Sequence, residues 1–198
     1  LLLEGVFEAA ELATAAQLDL WLTIGNERQL RWLEEARLPA PLTCWLKVDT
    51  GMHRLGVAPE TVLHCYQRLS ATDNAVDAVV TYTHFASADD VHSLQTPRQL
   101  AVFDALPCGA PRSAANSAAL LAWPQAHYDW VRPGYMLYGN SPLLQDHPQA
   151  QSLKPVMTLM STVISLRDVA TGEAVGYGGT WVAQRPSRIA TVTIGYGD

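Results

Sequence analysis

Two long apolar runs constrain the fold of this chain more than any other feature. Leu42–Val48 and Ala78–Thr83 are apolar at nearly every position. That pattern is typical of parallel strands that are covered on both faces. Because neighbouring parallel strands need a long crossover between them, usually a helix, the two runs predict an α/β fold.

The segments around these runs continue the alternation of strand and helix. Asn26, directly before an amphipathic segment, is a predicted helix N-cap. A closed (β/α)8 barrel of the TIM type has eight strands in about 250 residues. We therefore expect a partial barrel with about strands 3–8, although an open doubly wound sheet would give a similar pattern. The predicted strands are Leu1–Glu4, Leu18–Ile24, Leu42–Val48, Ala78–Thr83, Arg112–Ala115 and Trp130–Arg132 with a continuation to Leu137, and the predicted helices are Glu8–Gln17, Glu27–Arg37, Pro59–Leu69 and Thr96–Leu106.

The character of the sequence changes after residue 140. Residues 141–155 are rich in proline and polar residues, as expected for an exposed connection. Val156–Leu166 and Arg188–Ile194 are rich in Val, Ile and Thr. We therefore expect a barrel part at 1–140, a connection at 141–155 and the start of an all-β domain at 156–198. Because the chain begins inside an apolar run, without an initiator Met, we also expect it to be a piece of a longer protein.

Composition argues against several classes of function. The chain has 13 Lys and Arg against 19 Asp and Glu and no basic stripe, which argues against nucleic-acid binding. No apolar run reaches the roughly 20 residues of a membrane-spanning helix. Cys44, Cys65 and Cys108 are odd in number and widely spaced, which suggests neither a disulfide framework nor a metal site. They predict reduced thiols in a cytoplasmic protein.

Polar side chains stand where predicted strands end, which is where barrels of this type place their active sites. Lys47 and Arg54 flank a turn after one strand, and His84 closes the next. Arg132 ends a later strand. The Ser117 hydroxyl is suited to cap a helix or to hold a phosphate. Each of these residues also has a purely structural interpretation: a surface cation, a satisfied histidine, an ion-paired arginine or a helix cap.

Taken in order, these segments resemble the motifs of pyridoxal-phosphate-dependent alanine racemases. The resemblance covers essentially the whole chain and is strongest to the enterobacterial-type enzymes, through Asp49–Gly56 and Trp130–Gly134. It implies an isomerase that interconverts L-alanine and D-alanine for cell-wall peptidoglycan. It further implies pyridoxal 5'-phosphate as cofactor, no metal, and a homodimer with shared active sites. The matching segments are Leu46–Val57, Thr81–Asp89, Ala115–Ala119, Asp129–Gly139, Val175–Trp181 and Ile194–Asp198.

The resemblance also implies a role for individual residues. Tyr177 matches the tyrosine that exchanges the α-proton on the L-alanine side, and His84 the histidine behind it. A phenol has a pKa near 10, so we expect a cationic network that includes His84 and Arg54 to lower it. The other implied roles are the pyridine-nitrogen contact for Arg132, phosphate contacts for Ser117, Gly134 and Tyr135, carboxylate binding for Arg54, carbamylation for Lys47 and the substrate entrance for Tyr196.

The lysine to which family members attach the cofactor has no match in this chain. Lys47 and Lys154 are its only lysines, and both belong to other segments. We therefore expect the chain alone to be inactive. Two alternatives remain: another barrel-type racemase or decarboxylase, and a non-catalytic cofactor-binding barrel protein. A decarboxylase is expected to place a carboxylate where Arg132 stands, and a single-domain carrier would lack the β domain and would not need Tyr177.

Overall fold

The computed structural model describes residues 1–76, 79–109 and 111–197. The chain divides into two compact units, Leu1–Val156 and Met157–Asp198. The first unit contains a four-stranded sheet in which every neighbouring pair is parallel and the order follows the sequence. Its strands are β1 (Leu22–Ile24), β2 (Cys44–Lys47), β3 (Val80–Tyr82) and β4 (Arg112–Ser113).

Single parallel bridges extend this sheet at both edges. Leu2 pairs with Leu22, and Ser113 pairs with Trp130. The six predicted strand segments are therefore confirmed as six consecutive parallel neighbours, although the outer two make only one bridge each. Part of one prediction, at Ala78, lies outside the described residues.

Two strand predictions were too long. Leu18 ends the first helix, and Asp19 has a positive φ of 51°. A residue in the left-handed region commonly ends a helix. The chain turns at Asp19, and the strand therefore begins only at Leu22. The predicted continuation to Leu137 was wrong, because Tyr135–Tyr138 form a 3₁₀ turn that ends at Gly139 with φ 85°.

Helices cover one face of the sheet. Asn26 caps α2 as predicted, since its Oδ1 accepts from the Gln29 amide at 2.9 Å. The cap of α5 is Asn116 and not Ser117, which is the first residue of the helix. The helices are α1 (Glu11–Gln17), α2 (Glu27–Glu35), α3 (Val62–Ala71), α4 (Gln95–Asp104) and α5 (Ser117–Ala122), with 3₁₀ turns at Pro59–Thr61, Pro124–Ala126, Tyr135–Tyr138 and Pro148–Ser152.

The alternation of side chains along each strand produces two cores. Cys44 and Leu46 pack among the helices in the main aliphatic core. Trp45 points to the other face, where it is buried with Val80 and Tyr82. Because both faces are covered, every residue of β2 is buried, which explains the continuous apolar run in the sequence.

The second unit is built from β structure. β5 (Val163–Val169) pairs antiparallel with β8 (Ser187–Val192), and β6 (Ala174–Val175) pairs antiparallel with β7 (Trp181–Val182). This confirms β structure beyond residue 156, but the first strand starts at Val163 rather than at Val156.

Two further properties follow from the described residues. None of the helices described is long and apolar enough to span a membrane. All three cysteines are free and buried.

The aliphatic core makes a direct prediction for stability. Leu46 is fully buried, whereas Leu63 on α3 is 41% exposed. In the full-length protein, Leu46→Ala should lower the free energy of unfolding by about 2–5 kcal/mol, because it removes buried methyl groups and leaves a cavity. Leu63→Ala should change it by less than about 0.5 kcal/mol. Urea unfolding followed by circular dichroism measures both free energies. Equal losses of stability in the two variants would contradict the assignment of Leu46 to the core.

Candidate functional site

The side chains of Lys47, Tyr82 and Arg132 meet at the carboxyl ends of the parallel strands. Lys47 and Tyr82 are register partners at the ends of β2 and β3. The Lys47 Nζ lies 5.3 Å from the centroid of the Tyr82 ring, and the Arg132 guanidinium carbon lies 4.8 Å from it. Both distances fall within the range of cation–π attraction. Tyr82 therefore lies against two cations.

Hydrogen bonds fix the orientation of the Tyr82 ring. Its hydroxyl donates to the Leu3 carbonyl at 3.1 Å and lies 2.8 Å from the Thr23 Oγ1. The whole side chain is buried. The sequence analysis did not identify Tyr82 as a site residue. Strand alternation could have identified Tyr82. It ends the strand next to that of Lys47, and register partners on neighbouring strands point their side chains to the same face of the sheet.

Arg132 is held by neutral acceptors. Its Nη2 donates to the carbonyl oxygens of Thr83 at 2.6 Å and Ala114 at 3.3 Å, and its Nη1 donates to the Ser113 Oγ. None of the ion pairs found among the described residues includes Arg132. Within the described ranges, the partners of Arg132 are therefore neutral oxygens rather than a carboxylate. Burial lowers the pKa of Arg132 to about 10, so the guanidinium remains charged at neutral pH.

Burial and the neighbouring positive charges lower the pKa values of two further groups, Lys47 and His84. Burial, followed by the charges of Arg54 and Arg132, lowers the pKa of Lys47 to about 8. Burial, followed by the charges of Arg132, Lys47 and Arg54, lowers the pKa of His84 to about 4. His84 is therefore neutral near pH 7. The expectation that His84 contributes positive charge is therefore wrong, and Lys47, Arg54 and Arg132 carry that charge.

A tight turn brings Arg54 to the same place. Asp49 Oδ1 accepts from the amides of Gly51, Met52 and His53 at 3.0–3.1 Å. Gly56 closes the turn with φ 128°, where a Cβ would lie 2.6 Å from the Asp49 amide nitrogen. The turn therefore depends on a glycine at this position. Arg54 lines a cavity of about 180 Å³ together with Leu3, Glu4, Lys47, Leu55, Tyr82 and His84.

A second and larger cavity adjoins the first, and His84 and Leu3 line both. Its volume is about 650 Å³. Ser117 Oγ accepts from the amides of Gly134 at 2.8 Å and Met136 at 3.2 Å. Since both of these contacts use its oxygen as acceptor, the Ser117 hydroxyl hydrogen remains free to donate to an anion. The residues that line this cavity include Asn116, Ser117, Arg132, Pro133, Gly134 and Tyr135.

The first unit thus brings together most of the predicted site residues. Lys47, His84 and Arg132 are buried or half-buried, whereas Arg54 and Tyr135 are exposed at the cavity rims. Two predicted residues belong to the second unit. Tyr177 and Tyr196 are fully exposed on that unit.

The lowered pKa of Lys47 has a measurable consequence for stability. Between pH 8 and its ordinary value of 10.5, the folded protein releases this proton while the unfolded chain keeps it. The free energy of unfolding should therefore rise with pH across that window, because the unfolded state binds more protons. In the full-length protein, Lys47→Met should flatten the rise, and Lys154→Met, at an exposed position, should not. Urea unfolding at several pH values measures this, and equal slopes for wild type and Lys47→Met would contradict it.

Comparison with known proteins supplies the family. Residues 1–142 match the alanine racemase N-terminal domain, and residues 156–198 match the alanine racemase C-terminal domain. The chain is 50% identical over 200 residues to alanine racemase of Pseudomonas syringae pv. syringae, and 48% identical over 201 residues to the biosynthetic alanine racemase of Escherichia coli K12. Each comparison covers all of this chain and 56% of the relative.

A solved structure agrees with these sequences. The crystal structure of the biosynthetic alanine racemase from Pseudomonas aeruginosa matches with a TM-score of 0.89 and 47% identity, over 100% of this chain and 55% of that one. The chain thus spans about half the length of the relatives it matches. Two family domains in sequence order, together with this structural agreement, place the chain in the alanine racemase family.

Proposed function

We propose that the full-length protein carrying this chain is a cytoplasmic isomerase that interconverts L-alanine and D-alanine with pyridoxal 5'-phosphate and so supplies D-alanine for peptidoglycan. Arg132 is the observation that supports it best. A decarboxylase is expected to place a carboxylate at this position, whereas here a buried guanidinium faces carbonyl oxygens and a cavity. The buried free cysteines are consistent with a reducing compartment.

The residues present fit the cofactor on which this family depends. The Ser117 hydroxyl has its hydrogen free for a phosphate oxygen, and a Cβ built on Gly134 would meet no atom within 4 Å. Tyr135, which follows, stands exposed at the same cavity. The hydrogen bonds of Arg132 use its terminal nitrogens, which leaves the Nε–H for a ring nitrogen. Pyridoxal phosphate, when bound, withdraws electrons from the substrate's α-carbon and makes its proton removable.

Arg132 would then limit the reaction to proton exchange. A positive guanidinium beside the pyridine nitrogen disfavours a second positive charge there. Arg132 thereby keeps the electron withdrawal moderate and suppresses competing reactions that need a stronger electron sink. A carboxylate at this position would have the opposite effect, because it would stabilise a protonated pyridine nitrogen.

Arg54 and Lys47 would place the substrate. Arg54 offers a planar pair of donors that matches a carboxylate. Lys47 is buried, and its pKa near 8 makes the neutral amine accessible, which is the form that reacts with carbon dioxide. Carbamylation would turn this cation into an anion beside Arg54 and so orient the guanidinium.

The proton transfers require two groups on opposite faces of the α-carbon. We assign Tyr177 to the face of L-alanine, with neutral His84 behind it, and Tyr196 to the substrate entrance. The positive charges of Arg54 and Arg132 would stabilise the Tyr177 phenolate. We assign the opposite face to the cofactor-linking lysine, which lies at neither Lys47 nor Lys154.

The proposal also covers the organisation of the parent protein. We assign residues 1–140 to the barrel part, 141–155 to the connection and 156–198 to the β domain. We further propose a homodimer in which the barrel part of one subunit and Tyr177 of the other form each active site. The full exposure of Tyr177 supports a partner surface for this side chain.

The function is tested by assaying the full-length protein for D-alanine formation from L-alanine with added cofactor. Tyr177→Phe should lower kcat by about 10²–10⁴-fold, because it removes a general acid and base, and should leave cofactor affinity unchanged. Tyr66→Phe, on α3 and outside both cavities, is the matched control and should retain full activity. Release of carbon dioxide, or wild-type racemisation by Tyr177→Phe, would contradict the proposal.

The shared active site is tested by mixing subunits. Arg54→Ala and Tyr177→Phe should each be inactive as homodimers. A hybrid dimer would contain one site with both intact residues and one with neither, so refolding an equal mixture should recover roughly a quarter of wild-type activity. If both residues act within one subunit, the mixture will stay inactive.

A further inference from the structure

Helix α4 presents two glutamines to the ends of the central strands. Gln99 is 1% exposed and uses both of its N–H donors and its carbonyl oxygen. Gln95 lies one turn earlier on the same face of the helix. A buried amide is costly unless it is hydrogen-bonded, so the partners of Gln99 indicate what the residue does.

The partners of Gln99 belong to two different loops. Its Nε2 donates to the Thr50 Oγ1 at 3.2 Å in the loop after β2, and to the His84 carbonyl at 2.9 Å in the loop after β3. Its Oε1 accepts from the Ala86 amide at 3.0 Å. Gln99 therefore links the loop that carries Arg54 to the loop that carries His84.

Gln95 repeats this bridge at the outer end of the same loops. Its Nε2 donates to the Gly51 carbonyl at 3.2 Å, and its Oε1 accepts from the Ser87 hydroxyl at 2.8 Å. Two glutamines on one helical face thus connect the same pair of loops twice.

The hydrogen-bonded chain continues from Gln99 to the buried guanidinium. Thr50 Oγ1 lies 2.7 Å from the Thr83 Oγ1, and both residues are buried. The Thr83 carbonyl accepts from Arg132 Nη2 at 2.6 Å. The path from α4 to Arg132 therefore runs through Thr50 and Thr83.

We propose that Gln99 is a positioning residue that fixes the loop of Arg54, the backbone of His84 and, through Thr50 and Thr83, the guanidinium of Arg132 relative to one another. The catalytic consequence rests on the proposed racemase function, whereas the geometric role does not. An apolar side chain of the same length would fill the space but could not set these distances. Displacements of about 1 Å in an active site can cost about a hundredfold in rate.

Gln99→Met in the full-length enzyme removes the amide and keeps the length of the side chain. Gln29→Met is a matched control, because Gln29 on α2 is also buried and also makes three hydrogen bonds, in its case to the carbonyl oxygens of Glu4 and Val6 and from the Gly25 amide. Both variants should lose stability in urea. Only Gln99→Met should lower kcat, by about ten- to a hundredfold, with little change in KM.

A second readout needs no activity. Histidine carbon resonances of the apoprotein, assigned with His84→Asn, report the pKa of His84, which burial and then the charges of Arg132, Lys47 and Arg54 hold near 4. Release of the loop in Gln99→Met should move this pKa towards its ordinary value, and Gln29→Met should leave it unchanged. If the wild-type enzyme does not racemise alanine, the proposed function fails, but this titration still tests the tether.

Gln99→Glu keeps the bond from Ala86 and loses both donors, and its protonated form regains one donor. Its kcat relative to wild type should therefore rise as the pH falls, and this test remains if Gln99→Met does not fold. Wild-type kcat and an unchanged His84 pKa in Gln99→Met, or a pH-independent ratio in Gln99→Glu, would overturn the proposal and reduce Gln99 to a packing residue.

Discussion

The structure depends on burying two like charges side by side, one of which, the Arg132 guanidinium, has only neutral hydrogen-bond partners among the described residues. Lys47 and Arg132 both lie against the ring of Tyr82, and burial of a charge is costly unless it is compensated. The compensation consists of an aromatic face, backbone carbonyl oxygens and a serine hydroxyl. A carboxylate in this position would neutralise the guanidinium. Neutral partners leave its positive charge available to a ligand, and this charge adds to burial, the larger cause, in lowering the pKa values of Lys47 and His84.

An aromatic layer lies on the same face of the sheet as these cations. Trp45 packs against Trp21 and Trp130 with ring centroids 6.3 and 5.8 Å apart, and its edge meets Tyr82 at 5.6 Å. Trp45 and Lys47 are two residues apart on β2, so strand alternation places them on the same face. The register of β2 therefore places both the aromatic layer and the cations. A shift of the strand by one residue would turn these side chains towards the helices and bring the helix-facing side chains into the site.

The local features of this fold were predictable from the sequence, and the long-range ones were not. Continuous apolar runs predicted the parallel strands, and Asn26 predicted the start of α2, because both signals act over a few residues. Asn116 caps α5 by accepting from the Ala119 amide, whereas Ser117 accepts from the Gly134 amide, 17 residues away. The role of Gln99 is not readable from the sequence, because all of its partners lie on other elements. The family resemblance predicted the residues that line the cavities. It did not predict the residues that fix their positions through hydrogen bonds.

Hydrogen bonds fix the site residues of the first unit relative to one another. They join Arg132, Thr83, Thr50 and Gln99 into one chain, and charge that is fixed in place in this way is the most effective kind in catalysis. Tyr177 differs, since it stands fully exposed between Gly176 and Gly178, which have φ values of 79° and 71°. A phenol on such a turn gains a fixed position only against another surface. In the homodimer that we propose, the barrel part would supply the rigid half of the site and the partner surface would immobilise Tyr177.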